Sequence, residues 1–489
     1  MLLADLIKDI NVLDIRGDIG IDIKGIAYDS RKAKKGFVFV CIDGMTTDGH
    51  DYVDQALEYG ASAVIIQKDL NIAEGCPVIR TDDSRLALAC ISDRFYGHPS
   101  GRFKLIGITG TKGKTTTTFM LKSILEASGK KVGIIGTLGT RIGERILYSE
   151  RTTPESQDLQ ELFAQMVEEG VEYVAMEVSS QGLALHRVSC CEFDVGVFTN
   201  LSRDHIGGKE HASMEEYLLA KCKLFKICKN GLINVDNEYA EKILKEATCG
   251  TLTFGIKADS GVRASNIVKL PKSVEFDITS SWYGLRLRVN IPGRFSVYNA
   301  LAAAGVSGML GMPAEAVMAG LDKVQVPGRA ESVDTGRDFS VIIDYAHTPD
   351  SLENILSTVR DYAAGRVVCV FGCGGDRDRS KRPMMGAISG RLADYTVITS
   401  DNPRTEDPET IIRQIEDGIK TTAGKYICIC DRREAIKHAL TTAMAGDVLV
   451  LAGKGHETYQ TFKDRTIHFD EREVVRELLE IEQYDMIRK

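Results

Sequence analysis

No stretch of this chain stays apolar for long enough to span a bilayer, so it does not read as a transmembrane-helix protein. Positive charge is in deficit: 61 Lys and Arg stand against 69 Asp and Glu, a formal net charge of −8. Neither a polynucleotide nor an anionic membrane surface is served by such a balance. C-x-x-C pairs are absent among the twelve cysteines, and no zinc-ligand spacing occurs. Several cysteines (Cys369, Cys428, Cys430) lie inside apolar, strand-like runs, which suits reduced, buried thiols better than a disulfide framework. There is no fixed-period repeat and no low-complexity linker. The opening MLLADLIKDI carries acidic residues early and an i, i+3/i+4 apolar rhythm, so it reads as a short surface helix and not as a signal peptide. A soluble, cytoplasmic protein is expected.

What is present is globular. Hydrophobic residues make up 43% and charged residues 27% of 489 positions, too many for one core, and three domains are expected. The most informative stretch is GITGTKGKTTTT, residues 107–118. An apolar run (Phe103, Leu105, Ile106, Ile108) enters it, and an amphipathic segment, 115–128, leaves it. That order is strand, glycine loop, helix. Glycines let backbone N–H groups close on phosphate oxygens, and the helix N-terminus adds a favourable dipole. Gly110, Thr111, Lys112, Gly113, Lys114, Thr115 and Thr116 form the expected nucleotide loop, with Lys114 on the terminal phosphates and the Thr115 hydroxyl on Mg²⁺. The loop is tighter than a full Walker motif, because position 108 is Ile and not Gly.

Residues 1–100 read as a small α/β unit, with strands at 36–41 and 62–66 around a helix at 52–59 that ends at Gly60. Its polar spots, Tyr28-Asp29-Ser30-Arg31 and the turn 44–50, are equally compatible with ordinary turn chemistry. Residues 101–327 form the second unit. Its strands 131–136, 171–176 and 193–199 run out into Thr152-Thr153-Pro154, Glu177-Val178-Ser179-Ser180 and Asn200 with Asp204-His205. A helix is expected from Asp158, with Glu161 completing a capping box and Gly170 as its stop. Polar groups just beyond the C-terminal ends of successive strands mark the ligand crevice of an open, mostly parallel sheet. A period-two region (251–291) and an Ala-rich helix (296–309) follow. Residues 328–489 repeat the α/β pattern, with strands at 341–343, 367–371, 395–398, 426–430 and 448–451. Each again precedes polar groups: 344–348, 372–381, Asp401-Asn402-Pro403-Arg404, Asp431 and Gly453 to Glu457.

Glu177 and His205 are candidate Mg²⁺ ligands with Thr115, since hard cations want oxygen and tolerate imidazole. Asp204, His205 and Ser179 do not make a hydrolytic triad, because no nucleophile elbow surrounds the serine. The loop 373–383 carries Arg377, Arg379, Lys381 and Arg382, suited to carboxylate or phosphate capture if it is more than a solvated basic loop. A nucleotide loop in one unit and arginines in another suggest ligation or phosphoryl transfer.

GTKGKT, TTPE, MEVSS, NLSRDH, AKCKLF, PGR, DYAHTP, GCGGDRD, DNPR and AGKGHE occur in the order in which the Mur ligases carry them, so nearly the whole chain resembles that family. The resemblance implies a UDP-substrate domain (1–100), a central ATP domain (101–327) and a C-terminal amino-acid domain (328–489). It implies ATP and Mg²⁺ as cofactors and an acyl phosphate on the glutamyl carboxylate of a UDP-muramoyl dipeptide, displaced by the amine of an amino acid. A monomer acting on small molecules is expected. By the same resemblance Ser30, with the 44–50 turn, binds the uridine nucleotide, and Thr152, Thr153, Ser179 and Arg187 contact the sugar-dipeptide. Lys114, Glu177, Lys221 and His205 are the implied catalytic set. Lys221 is implied to be a carbamate (N6-carboxylysine) that holds a second Mg²⁺. Asn299, Arg329 and Asp344 match adenosine positions; Arg377, Asp401, Asn402, Pro403, Arg404, Gly453 and Glu457 match the amino-acid site. Arg404 favours meso-diaminopimelate over lysine, since its fork pairs with the additional carboxylate. Gln181, Leu185 and Gly207 depart from the family pattern, and the 205–211 stretch is longer than usual. The alternatives are the same reaction with L-lysine, a folylpolyglutamate synthetase-like ligase, a P-loop ATPase with a protein or nucleic-acid partner, and a nucleotide-binding regulator without turnover.

Overall fold

The structure, a computed structural model, describes residues 1–487 apart from 45–46, 73–74, 144, 150, 204–205, 207–209 and 271–272, with side chains described as far as 480. It divides into two compact units: residues 1–263 with 279–283 and 301–320, and residues 264–278 with 284–300 and 321–489.

The first unit holds two sheets. In the smaller, Gly25–Ala27, Phe37–Val40, Ala63–Ile66 and Val78–Thr81 run parallel, and Val12–Arg16 pairs antiparallel at the edge. Strand Ala63–Ile66 is buried at every position, as a strand covered on both faces must be. The helix expected at 52–59 spans Val53–Glu58, and Gly60 ends it with φ +103°.

The larger sheet places Cys228–Asn234, Phe193–Phe198, Lys104–Thr109, Tyr173–Glu177 and Val132–Gly136 side by side, all parallel. Lys104–Thr109 comes first in the sequence yet lies between two later strands, so the order reverses beside it, and a crevice opens at its C-terminal end. Phe163, Phe193, Phe198 and Met176 are buried beneath the sheet, each contributing about 1.5–3 kcal/mol by leaving water.

The helix expected from Asp158 begins two residues earlier, at Ser156, and no capping box forms there. The N-cap residue is Glu155, which makes no side-chain cap; its carboxylate is committed to arginines instead. Gly170 closes the helix as expected, with φ +72°.

In the second unit Ser340–Asp344, Val448–Ala452, Val367–Phe371, Tyr395–Ile398 and Tyr426–Cys428 form a parallel sheet, with Glu331–Val333 antiparallel at one edge. Val274, Phe276 and Ile278 alternate inward along Val274–Thr279, as their period of two requires. A hairpin, Tyr459–Thr461 with Thr466–His468, follows the last parallel strand.

Candidate active site

The crevice at the switch point is a cleft of about 860 Å³ lined by residues of the first unit, among them Ser30, Thr47, Arg85, Gly110, Lys114, Thr152, Glu155, Ser179, Arg187 and Lys221. Gly110 is required at its place in the loop: φ is +151°, and a Cβ there would fall 1.9 Å from the Thr199 hydroxyl. Asn200, at the exit of Phe193–Phe198, holds the loop from outside. Its Oδ1 accepts from the Lys112 amide at 2.9 Å, and its side-chain amide donates to the Lys112 carbonyl. Helix Lys114–Ala127 starts directly after Gly113, whose φ of +85° turns the chain into it. The Lys114 ammonium lies over the loop, donating to the carbonyls of Gly110 (2.9 Å) and Thr111 (3.1 Å). Thr111 and Thr116 are buried beside it.

Glu177, 2% exposed, accepts from the Thr115 hydroxyl at 2.9 Å and from the amide and hydroxyl of Thr137. Two hard oxygen donors, one at a helix start and one at a strand end, are thereby in contact beside the phosphate loop. That donor set suits Mg²⁺. Lys221, 1% exposed on helix Met214–Cys222, donates to the Gly110 carbonyl at 3.1 Å and lies 4.4 Å from the Tyr217 ring centroid. His205, also assigned as a ligand from sequence, lies outside the described residues, as does Gly207. Among the described residues no cluster of three or more His, Cys, Asp or Glu could hold a metal ion.

On the opposite wall, Ser30 donates to Gln55 Oε1 at 2.6 Å, and the hydroxyls of Thr152 and Thr137 are 3.1 Å apart. Ser179 caps helix Ser180–Ala184. Thr153 is fully buried behind this wall: its hydroxyl donates to the Glu177 carbonyl and accepts from the Ser179 amide, while its carbonyl accepts from Arg187. The sequence reading missed Glu155 and Arg85. Glu155, 4% exposed, accepts from Arg187 Nε and Arg85 Nη1 at 3.2 Å each, with Arg151 4.0 Å away. Arg85 also donates twice to the Asp43 carbonyl. An arginine on a distant helix leaves no local signal of this convergence. Gln181 and Leu185, two of the departures noted above, line the cleft directly.

The second unit gathers its own strand-end groups. Asp344 Oδ2 accepts from the Ala330 amide at 2.7 Å, and Arg329 stacks 4.8 Å from the Tyr345 ring. Asn299 is buried on helix Arg294–Met309. At the exit of Tyr395–Ile398, Asp401 and Asn402 are buried, and Arg404 has a left-handed backbone, φ +51°. Non-glycine residues in that region are uncommon and concentrate at functional sites. Arg404 is held there by its amide on the Thr461 carbonyl (3.1 Å) and by Nη1 on the Gly375 carbonyl (2.7 Å). Pro403, also buried, presses its carbonyl so close to Gly375 that a Cβ there would come within 1.8 Å. Gly453, φ +112°, leaves the same kind of room for Asp401, 2.8 Å from where a Cβ would stand. Asn402 donates to Glu457 at 2.7 Å. Burial, and then the neighbouring Asp401 charge, push the Glu457 carboxyl above its usual range.

The basic loop is divided between two uses. Arg382 is fully buried and pairs with Glu406, Arg379 reaches the same carboxylate, and Lys381 donates to the His347 carbonyl. Arg377 is exposed beside Gly374, near the Arg404 guanidinium. Guanidinium groups capable of pairing with a carboxylate, near buried carboxylates, suit an amino acid that carries both charges.

Comparison with known proteins agrees with this geometry. Residues 22–96 match the Mur ligase family catalytic domain, 108–307 the Mur ligase middle domain, and 328–455 the Mur ligase glutamate ligase domain. The UDP-N-acetylmuramoyl-L-alanyl-D-glutamate–2,6-diaminopimelate ligase of Caldanaerobacter subterraneus subsp. tengcongensis is 51% identical over 98% of this chain and 99% of its own. A solved structure of a ligase with that name superposes with a TM-score of 0.73 at 29% identity, covering 99% of both chains. The folylpolyglutamate synthase of Mycobacterium tuberculosis, at 18% identity and a TM-score of 0.60 over 75% of this chain and 92% of its own, shares the fold alone. Identity of this order over nearly the whole chain, with three Mur ligase domain matches in succession, means that the chain belongs to the Mur ligase family.

Proposed function

We infer that this chain is an ATP-dependent amide ligase that adds meso-diaminopimelate to UDP-N-acetylmuramoyl-L-alanyl-D-glutamate, releasing ADP and phosphate, in peptidoglycan synthesis. The full-length likeness to a ligase of that name supports this reading. The carboxylate of the glutamyl residue attacks the γ-phosphorus of ATP; ADP leaves and an acyl phosphate forms. The amine of diaminopimelate adds to the acyl carbon, and phosphate departs as the amide closes. A carboxylate is a poor electrophile at neutral pH, and phosphorylation supplies its leaving group.

Residues 1–100 bind the UDP end, 101–327 the ATP phosphates and 328–489 the amino acid. Gly110 to Thr116 surround the phosphates with backbone N–H groups, and Lys114 exchanges its loop carbonyls for phosphate oxygens, stabilising charge as it transfers. Asn299, Arg329 and Asp344 serve the adenosine. Ser30, Thr152, Ser179 and Arg187 serve the UDP-sugar dipeptide, with Thr153 holding Arg187 through its carbonyl. Thr115 and Glu177, with His205 and a carbamylated Lys221, would hold Mg²⁺, which when bound neutralises phosphate charge. Lys221 forms a carbamate only through its neutral amine. No helix among the described residues is long and apolar enough to cross a membrane; we assign the enzyme to the cytoplasm, as a monomer acting on small molecules.

The observation that carries the amino-acid assignment is Arg404, locked in a left-handed conformation by Gly375 and Thr461. Meso-diaminopimelate is lysine with a further carboxylate at its far end, and a guanidinium fork answers that group. Phosphate release from ATP in the presence of the UDP-dipeptide is expected with meso-diaminopimelate and not with L-lysine. Arg404→Ala should raise the KM for diaminopimelate by about ten- to a hundredfold, the worth of a charge-assisted hydrogen bond. Equal turnover with lysine would overturn the substrate, and no release with either amino acid would overturn the reaction.

A further inference from the structure

Lys454 stands in the middle of the AGKGHE segment, directly after Gly453, and has no role in the assignments above. Its side chain is fully buried. The ammonium donates to Asn402 Oδ1 at 3.2 Å and to Glu457 Oε2 at 3.3 Å, and it lies 5.7 Å from the Tyr459 ring centroid. Asn402 donates to the same Glu457 oxygen at 2.7 Å, and its Oδ1 also accepts from the Thr461 amide at 3.0 Å. The Glu457 amide closes the set on the Lys454 carbonyl. One ammonium thus ties the segment 401–404, at the end of one strand, to 453–457, at the end of another.

Charge makes the tie specific. Asp401 and Glu457 are two carboxylates in one largely buried cluster, and the Lys454 ammonium contacts Glu457 and acts through its charge on Asp401. Burial works against the Asp401 charge, and the Lys454 and Arg432 cations, the Asn402 backbone amide donating to Oδ1 at 2.7 Å and then His347 overcome it and hold that carboxyl below its usual range. Glu457 accepts from Lys454 and Asn402, and the Asp401 and Tyr345 groups are electrostatically coupled to it. Lys454 cancels one of the two carboxylate charges and leaves the other, which is what an arriving ammonium group needs. Without it, two carboxylates face each other in a low dielectric, and one takes up a proton.

We propose that Lys454 is a positioning residue of the amino-acid site: its buried ammonium fixes Asn402 and Glu457 in one hydrogen-bonded set and keeps Asp401 and Glu457 together as acceptors for the ammonium group of the incoming amino acid. The proposal rests on the reading of residues 401–404 and 453–457 as that site.

The test is steady-state phosphate release by the full chain, varying diaminopimelate, ATP and UDP-dipeptide in turn across pH, for wild type, Lys454→Met and Lys454→Arg. Lys454→Met should raise the KM for diaminopimelate about tenfold or more, the worth of hydrogen bonds to a charged group, and leave the KM values for ATP and UDP-dipeptide unmoved. Its kcat/KM profile for diaminopimelate should have its acid limb displaced to higher pH, because Glu457 has lost its counter-ion. Lys454→Arg should restore part of both. Adding Glu457→Gln to Lys454→Met should abolish that displaced limb, because the carboxyl that titrates is gone. Should the methionine variant not fold, Lys454→Gln keeps a donor without the charge and takes the same readouts. An unmoved acid limb, or an equal rise in all three KM values, overturns the proposal while the site reading stands. Wild-type enzyme that releases no phosphate with diaminopimelate overturns the site reading, and this proposal with it.

Discussion

The His456 ring packs against that of Tyr345, 4.8 Å between centroids, within reach of the charges of Arg329, Arg472 and Lys454. Burial, and then those charges, depress its pKa to about 4 from an ordinary 6.5. Its Nδ1 is buried without a hydrogen-bond partner among the described residues. The folded protein therefore binds this proton less readily than the unfolded chain does. The stability that follows from a neutral His456 is fully present above about pH 6.5 and is lost as pH falls toward 4. Replacing His456 by Gln removes the titration. The urea midpoint of the variant should fall less between pH 6.5 and 4 than that of wild type, and parallel slopes for the two would refute this. The same residue marks a limit of reading by motif. AGKGHE identifies the segment, but nothing in the letters tells that Lys454 is fully buried, that His456 is half-buried with its Nδ1 inside, or that Glu457 meets Asn402. A motif gives residue types in order; burial decides what each does.

At the scale of elements, the ends of strands carry the chemistry, so whatever holds those ends together matters most. Arg432 is the clearest example in the second unit. Its guanidinium is fully buried, pairs with the equally buried Glu471, and donates to the carbonyls of Ser400 (3.3 Å) and Ala452 (3.0 Å). Those are the residues from which 401–404 and 453–457 depart. Arg432→Met leaves the Glu471 charge unpaired in the interior and frees two carbonyls, and should cost about 3–5 kcal/mol. Chemical denaturation checks this, and a loss below 1 kcal/mol would mean that the strand ends are held some other way. The strands themselves were legible. Val367–Phe371 and Tyr395–Ile398 fall where their apolar runs predict, because a strand buried on both faces must be continuously apolar. The antiparallel pieces were not: Thr466–His468 is exposed throughout, and Glu331–Val333 buries only one residue. Three-residue strands at a sheet edge have too few positions to set a period. The capping box at Asp158 failed for another reason. Glu155 is drawn to Arg85 and Arg187, and the helix starts from it, so tertiary charge decided a local boundary.

For the whole molecule, sequence order conveyed topology because polar segments follow strands in both α/β halves, and parallel sheets collect such segments at one edge. Distances along the chain conveyed nothing of how Arg85 reaches Asp43 and Glu155, or of which cysteines come close; the sulfurs of Cys90 and Cys190 are 2.7 Å apart although a hundred positions separate them. Total charge is a further property of the whole chain, and it bears on the P-loop ATPase alternative. A nucleic-acid-stimulated ATPase must hold a polyanion, which calls for a cationic track whose counter-ion release drives binding. Here the net charge is −8, and many of the cations that cluster near the loops are committed: Arg382 and Arg379 to Glu406, Arg187 and Arg85 to Glu155, Arg432 to Glu471. Phosphate release from ATP should therefore be unchanged by single-stranded DNA or RNA at low salt, and should rise only when UDP-dipeptide and diaminopimelate are both present. Polynucleotide-stimulated turnover that weakens steeply as salt is added would favour the ATPase instead, since counter-ion release from a contacted phosphate backbone produces that dependence.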